Sequence, residues 1–319
     1  MNIAIVGAGA LGCAMGAALA QAGNGVVLIN RNRAHVQAIQ QHGLRLLSAS
    51  GEQVLRQGPH MTAVTQAQGL APVDLVIVLV KSYHTREAMA AAACLVGPDT
   101  AVLSLQNGLG HEEILSGVVG AEHVLAGKTY VGGVLRGPGS IISATEGKET
   151  IIGELNGRLS PRAQAIAETF CRAGLNTRVS EHIVSDMWDK LLVNVATGAV
   201  SAITGLSFGG LRRVPEIEAT AVAAVQETMD VAAASGIALT CPDAQSAWQA
   251  AFKDLPDDFK ASMLQSMERG MPTEVDFING AVLRQGQRCG VATPVNQTLI
   301  ALVKGLESRL ESRQPGQQA

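Results

Sequence analysis

Residues 1–23 read MNIAIVGAGALGCAMGAALAQAG, a short apolar run, a glycine cluster and an alanine-rich run in that order. Ile3–Val6 is a short, largely β-branched run of the kind that forms a buried strand. Gly7, Ala8, Gly9, Ala10, Leu11 and Gly12 follow as G-x-G-x-x-G, directly before an alanine-rich helix that ends near Gly23. A second strand, Val26–Ile29, starts at once. In such a strand–turn–helix–strand unit, Gly7 permits the tight turn, Gly9 lets backbone approach a pyrophosphate, and Gly12 allows close helix-to-strand packing. The helix N-terminus then faces the phosphates. Residues 1–29 carry no charged side chain, as a secretory leader or membrane span also would not. A leader, however, needs a basic start and an unbroken apolar core. The three glycines interrupt any such core.

An NAD-specific site places Asp or Glu after the second strand, on the ribose 2′-hydroxyl. Here the residues are Asn30, Arg31, Asn32 and Arg33. Two guanidiniums without a carboxylate suit a 2′-phosphate, which favours NADP. The alternative is a pair of solvated loop arginines.

Further on, VDLVIVLVKSYHT (73–85) predicts a buried parallel strand over Val73–Val80 that ends in Lys81, and AVLSLQNG (101–108) repeats the design and ends in Gln106, Asn107 and Gly108. Ligands of open α/β sheets bind outside the carboxyl ends of strands, so Lys81 and Asn107 are expected on the edge that carries Gly7–Gly12. Residues 128–153 turn to short β-rich runs with turn glycines, read as antiparallel strands extending the sheet. One more helix and the strand LNTRVS (175–180) close this half.

After Glu181 helical periodicity dominates, over Ile183–Leu206, Glu216–Ala234 and Met271–Leu283. The expected architecture is α/β, with an N-terminal Rossmann-type dinucleotide-binding domain (1–181) and a second, mostly α-helical C-terminal domain (182–319). The last residues, ESRQPGQQA (311–319), read as a disordered tail.

Within MWDKLLVNVATGAVSAIT (187–204) the polar residues are ordered. At about 100° per residue, Lys190, Asn194, Thr197, Ser201 and Thr204 share a stripe roughly 80° wide, with Asp186 at its edge. A polar stripe on an apolar helix is expected to face a cleft. The alternative is a buried helix whose lysine reaches solvent and whose hydroxyls bond back to their own backbone.

Composition narrows the classes of function. The chain has 319 residues, 47% hydrophobic and 16% charged, with a formal net charge of −3. That is ample core for two domains and no basic field for nucleic acid. The five cysteines, Cys13, Cys94, Cys171, Cys241 and Cys289, are dispersed, and the seven histidines are not paired at ligand spacing. No metal site is expected, and the cysteines read as reduced thiols of a cytoplasmic protein.

The motifs GAGALG, VKSYHT, QNG, WDKLLVN, ASMLQS, PTEVDFINGAV and GVATPVN occur in that order over nearly the whole chain. Together they closely resemble the 2-dehydropantoate 2-reductase (ketopantoate reductase) family. The resemblance implies NADPH-dependent reduction of a 2-oxo acid to an (R)-2-hydroxy acid, ketopantoate to pantoate in the namesake reaction. Matched motif by motif, it implies that Lys190 is the catalytic lysine, Asn194 its helical neighbour, Glu274 the acidic group at the substrate and Ser262 the partner of the substrate carboxylate. Lys81 and Asn107 match residues that line the nicotinamide and substrate pocket.

Hydride transfer to a ketone leaves negative charge on the oxygen, which a nearby ammonium can stabilise and protonate. Lys190 suits that role. Many relatives carry a second asparagine where this chain has Gly198, which leaves another branched or aromatic 2-oxo acid open as the substrate. A sensor that binds NADP without turnover is the rival of a different class. It would need only the nucleotide half. A homodimer through the helical domain is the self-association to be tested.

Overall fold

The computed structural model describes residues 1–48, 51–253 and 255–312, apart from the side chain of Glu311. Two compact units emerge: Met1–Gln106 with His111–Ile183, and Asn107–Gly110 with the residues from Val184 onward.

In the first unit the elements run β1 (Asn2–Val6), α1 (Ala10–Gln21), β2 (Gly25–Ile29), α2 (Arg33–His42), β3 (Leu44–Ser48), β4 (Gly51–Leu55), β5 (Met61–Val64), β6 (Leu75–Val78), α3 (Thr85–Ala91), β7 (Ala101–Ser104), α4 (His111–Val119), β8 (Val124–Thr129), β9 (Gly132–Gly137), β10 (Ser140–Ala144), β11 (Thr150–Gly153), α5 (Pro161–Arg172) and β12 (Thr177–Val179). The main sheet has eight strands in the order β12-β11-β8-β7-β6-β1-β2-β5. Every pairing in it is parallel except β8 with β11. The apolar runs of β1, β6 and β7 are central and buried on both faces, which is why they lack alternation. Their register aligns Val6 with Val78 and Val78 with Ser104, so three chain segments leave the sheet at one level.

Two strand expectations are corrected. The run expected over Val73–Val80 is regular strand only at Leu75–Val78; Asp74 and Leu79 still donate to the Asn2 and Val6 carbonyls of β1 at 2.9 and 2.8 Å, and the chain bends at Val80, where Gly7 presses against it. Of the strands in 128–153, only β8 and β11 belong to the main sheet. The other two, β9 and β10, join β3 and β4 in a separate four-stranded sheet of order β4-β3-β10-β9. Ile141 and Leu46 pair on its buried face, and that burial supplies the driving force for a second layer.

The second unit is helical: α6 (Ile183–Thr204), α7 (Phe208–Leu211), α8 (Pro215–Ala234), α9 (Ala244–Ala250), α10 (Ser262–Glu268), α11 (Asn279–Cys289) and α12 (Pro294–Ser312). In α6, Leu191, Leu192, Val195, Ala196 and Ala199 are fully buried, and α8 packs against α9, α11 and α12. The helix expected over Met271–Leu283 is broken. Val275–Phe277 forms one 3₁₀ turn, and α11 starts only at Asn279, after Ile278 adopts φ −104°, ψ −90°. At the C-terminus the last helix continues through Ser312, two residues into the expected tail, whose remainder (313–319) lies outside the described residues. No helix among those described is long and apolar enough to cross a membrane.

Candidate active site

The glycine turn has the geometry its spacing predicts. Gly7 adopts φ +103°, and a Cβ there would lie 2.4 Å from the Val80 nitrogen. Gly12 sits so close beneath the turn that a Cβ would lie 2.5 Å from the Gly7 carbonyl oxygen. At Gly9 a Cβ would meet nothing within 4 Å. This is open space at the N-cap of α1, which no side chain caps. The first-turn amides of Ala10, Leu11 and Gly12 have no preceding intrahelical carbonyl, and together with the helix dipole they suit a phosphate. The turn is held from behind: Gly7 and Ala8 donate N–H bonds to the Ile29 carbonyl at 3.1 and 2.9 Å, and Asn30 Nδ2 donates to the Ala8 carbonyl at 2.7 Å. Asn32 caps α2 by accepting from the His35 amide.

Behind the turn, the Cys13 thiol lies 3.4 Å from both the Ala8 carbonyl and His35 Nε2, while His35 Nδ1 accepts from the Gly139 amide at 3.1 Å. Burial pushes the Cys13 thiol up to about 12 and lowers the His35 pKa, against a backbone hydrogen bond that raises it. Cys13 therefore stays protonated and is no nucleophile at neutral pH.

Arg31 and Arg33 are both exposed at the end of β2. No carboxylate stands among Asn30, Arg31, Asn32 and Arg33 at the end of β2, but the fold brings one near: Glu87 of α3 pairs with Arg31 at 3.3 Å. Both side chains are about two-thirds exposed, so the pair contributes about 1 kcal/mol at most. Lys81 starts a 3₁₀ turn, Ser82–His84, three residues past β6. That loop is fastened by Gln106, whose Nε2 donates to the Val80 carbonyl and to Thr85 Oγ1, both at 2.8 Å. Gln106 and Asn30 hold the loops around this edge, yet neither stood out as a site residue in the sequence. The only signal was their place at strand ends.

In the helical unit, Lys190 Nζ donates to Asn107 Oδ1 at 2.7 Å. The Asn107 segment is itself anchored, since the Leu109 amide donates to the Phe277 carbonyl at 2.9 Å. Gly108 has φ +94° and lies so near that a Cβ would be 2.3 Å from the same oxygen. Three residues before Phe277 stands Glu274, 8% exposed, at the start of the 3₁₀ turn. The fold thus joins Lys190, Asn107 and the Glu274 turn into one connected group. Asn194 is half-buried one helical turn beyond Lys190, and Ser262 is exposed as the first residue of α10.

The polar stripe of α6 divides in two. Thr197 and Thr204 donate to the carbonyls of Val193 and Val200, and Ser201 donates to the Leu206 carbonyl. The expectation that the whole stripe faces a cleft is therefore corrected, because the hydroxyls of its C-terminal half bond to local backbone, two of them buried and that of Thr204 exposed. At the turn between the halves, a Cβ on Gly198 would lie 3.1 Å from the terminal methyl of Met263. A thioether occupies the space beside this position. Among the described residues no group of three His, Cys, Asp or Glu side chains is placed to hold a metal.

Residues 3–157 match the ketopantoate reductase PanE/ApbA family and residues 182–307 match the ketopantoate reductase PanE/ApbA C-terminal family. The 2-dehydropantoate 2-reductase of Pyrococcus horikoshii is 35% identical over 308 residues, covering 97% of this chain and 98% of that protein. A ketopantoate reductase structure from Ralstonia eutropha superposes with TM-score 0.88 at 34% identity, covering 98% of this chain and 100% of the other. A ternary structure of D-mandelate dehydrogenase with NADH and anilino(oxo)acetate superposes with TM-score 0.90 at 30% identity, over 98% and 100% of the two chains. The glycine turn of the first unit, the lysine-bearing helix of the second and these matches over both lead to one conclusion: the chain belongs to the ketopantoate reductase family.

Proposed function

We propose that this protein is an NADPH-dependent 2-oxo acid reductase that converts 2-dehydropantoate (ketopantoate) to (R)-pantoate, the precursor of pantothenate and coenzyme A. The observation that carries the reading is the Lys190–Asn107 hydrogen bond beside the Glu274 turn. An ammonium, an amide and a segment bearing a buried carboxylate, linked by hydrogen bonds in the helical unit, support that reading.

Gly7–Gly12 would hold the pyrophosphate, with Arg31 and Arg33 at the 2′-phosphate and Lys81 and Asn107 toward the nicotinamide. The open space at Gly9 and the uncapped α1 N-terminus fit that group. When bound, NADPH supplies the hydride. Lys190 Nζ hydrogen-bonds the ketone oxygen, stabilises its developing charge and donates the proton. Asn107 Oδ1 holds the ammonium in one orientation. Glu274 accepts from the substrate hydroxyl, and Asn194 and Ser262 orient the other oxygens, Ser262 at the carboxylate.

A second reading keeps this chemistry and changes the substrate. Gly198 offers no side-chain amide and Met263 lies against it, which favours an apolar branched or aromatic side chain, and one structural relative is a mandelate dehydrogenase. A cytoplasmic location and a homodimer through the helical unit complete the proposal, the latter open to sedimentation analysis. The deciding experiment is NADPH oxidation with ketopantoate beside a panel of branched and aromatic 2-oxo acids. Turnover confined to ketopantoate supports the main reading, and preference for another acid supports the second. Tight NADPH binding without turnover of any would refute both and leave a nucleotide sensor.

A further inference from the structure

The Glu274 turn is fastened on both sides to one face of α12. Glu307, 8% exposed, accepts through Oε1 from both the Thr273 amide at 2.6 Å and Thr273 Oγ1 at 2.7 Å. The same Thr273 hydroxyl accepts from the Val275 amide at 3.2 Å. One helical turn earlier, Lys304 Nζ pairs with Asp276 at 2.5 Å and with Glu307 Oε2 at 3.2 Å. The residues on either side of Glu274 are therefore tied directly or indirectly to Glu307, and Asp276 is tied to its neighbour. The turn then passes the constraint on, because the Phe277 carbonyl receives the Leu109 amide and so seats the segment that presents Asn107 to Lys190.

An apolar side chain would pack α12 against this turn without desolvating a carboxylate, which is expensive unless fully bonded. What a carboxylate adds is direction. Two charge-assisted bonds, from the Thr273 amide and the Thr273 hydroxyl, fix the residue preceding Glu274. The Lys304 ammonium, held protonated by Asp276 and Glu307 against burial that favours its loss, counters the buried charge.

We propose that Glu307, assisted by Lys304, is a positioning residue of the reductase site: through Thr273 and Asp276 it sets the Glu274 carboxylate and, through Phe277, the Asn107 segment that orients Lys190. This rests on the 2-oxo acid reductase reading. Both residues act through the turn that carries Glu274, so the effect is expected mainly on the substrate side of the kinetics.

The test uses the full-length chain with Glu307→Ala, Glu307→Gln and Thr273→Val. For the 2-oxo acid that the wild type turns over, Glu307→Ala should lower kcat/KM roughly tenfold or more, as loss of orientation does, with the dissociation constant for NADPH held within about twofold. Glu307→Gln keeps an oxygen that can accept from Thr273 and should recover most of the loss. Amide hydrogen exchange in Glu307→Ala should accelerate in segments 105–110 and 272–280 and nowhere in the glycine turn. Unchanged kcat/KM in folded Glu307→Ala, an equal defect in Glu307→Gln, or unchanged exchange in those segments would overturn the proposal. If Glu307→Ala does not fold, Thr273→Val decides, and wild-type kinetics from it would sink the idea. A wild type without turnover refutes the reductase reading, and the exchange comparison still decides whether Glu307 positions the turn.

Discussion

Gly108→Ala is the sharpest probe of the Lys190–Asn107 arrangement. Its added Cβ would lie 2.3 Å from the Phe277 carbonyl oxygen and 2.8 Å from the carbonyl carbon, whereas non-bonded carbon contacts are comfortable at about 3.5 Å. The 107–110 segment must back away by about 1 Å, because both obstacles are backbone. The positive φ of +94° adds about 1–3 kcal/mol of strain for a residue with a side chain. A movement of that size stretches the 2.7 Å bond from Lys190 to Asn107 past hydrogen-bonding range. Misplacement of a catalytic group by about 1 Å can cost on the order of 10²-fold in rate, and that loss of kcat/KM for the 2-oxo acid is expected here. NADPH affinity should change much less. Gly110→Ala separates strain from collision, since it shares a positive φ of +99° but has nothing within 4 Å of its Cβ. Steady-state kinetics of the two variants, with thermal melts for stability, are the assay. Wild-type kcat/KM in Gly108→Ala, or an equal loss in Gly110→Ala, would refute the reasoning.

Lys190→Ala should fold and bind NADPH normally yet lose most turnover, and an active variant would remove the lysine from the mechanism. Replacing Arg31 and Arg33 together with Ala should weaken NADPH binding at least tenfold more than NADH binding by titration, with equal weakening counting against a 2′-phosphate contact. Glu112, at the start of α4 and 7% exposed, has its pKa raised by burial from 4.5 to about 7. Folding therefore favours its proton, and the stability present below about pH 4.5 is lost as pH rises through about 7. The shift corresponds to about 3 kcal/mol, so Glu112→Gln should raise the melting temperature at pH 8.5 clearly more than at pH 5. An equal change at both values would show that the carboxyl is not held neutral.

Local pattern was enough to determine some parts of this protein. The strand, glycine turn and helix of residues 2–21 are legible because sterics within six residues dictate them: a positive φ at Gly7, close approach at Gly12, open space at Gly9. The long helix α6 announces itself through its periodicity, and the family motifs mark Lys190, Asn107 and Glu274. Pairings between distant residues had to wait for the tertiary structure. Strand β3 joins β10 across about a hundred residues, and period-2 patterning tells a strand which face to bury but not which strand to pair with. The 3₁₀ break before α11 replaces a periodic helix, because the turn answers to Glu307 and Leu109 and not to its own propensity. Thr197, Ser201 and Thr204 share a helical face with Lys190, yet whether a hydroxyl faces a cleft or its own backbone depends on what packs above it. Pattern could likewise place Asn107 after a strand and Lys190 on a helix, 83 residues apart. Only the folded chain brings their polar atoms within 2.7 Å, because a hydrogen bond is decided by ångström-scale packing, which no one-dimensional spacing encodes.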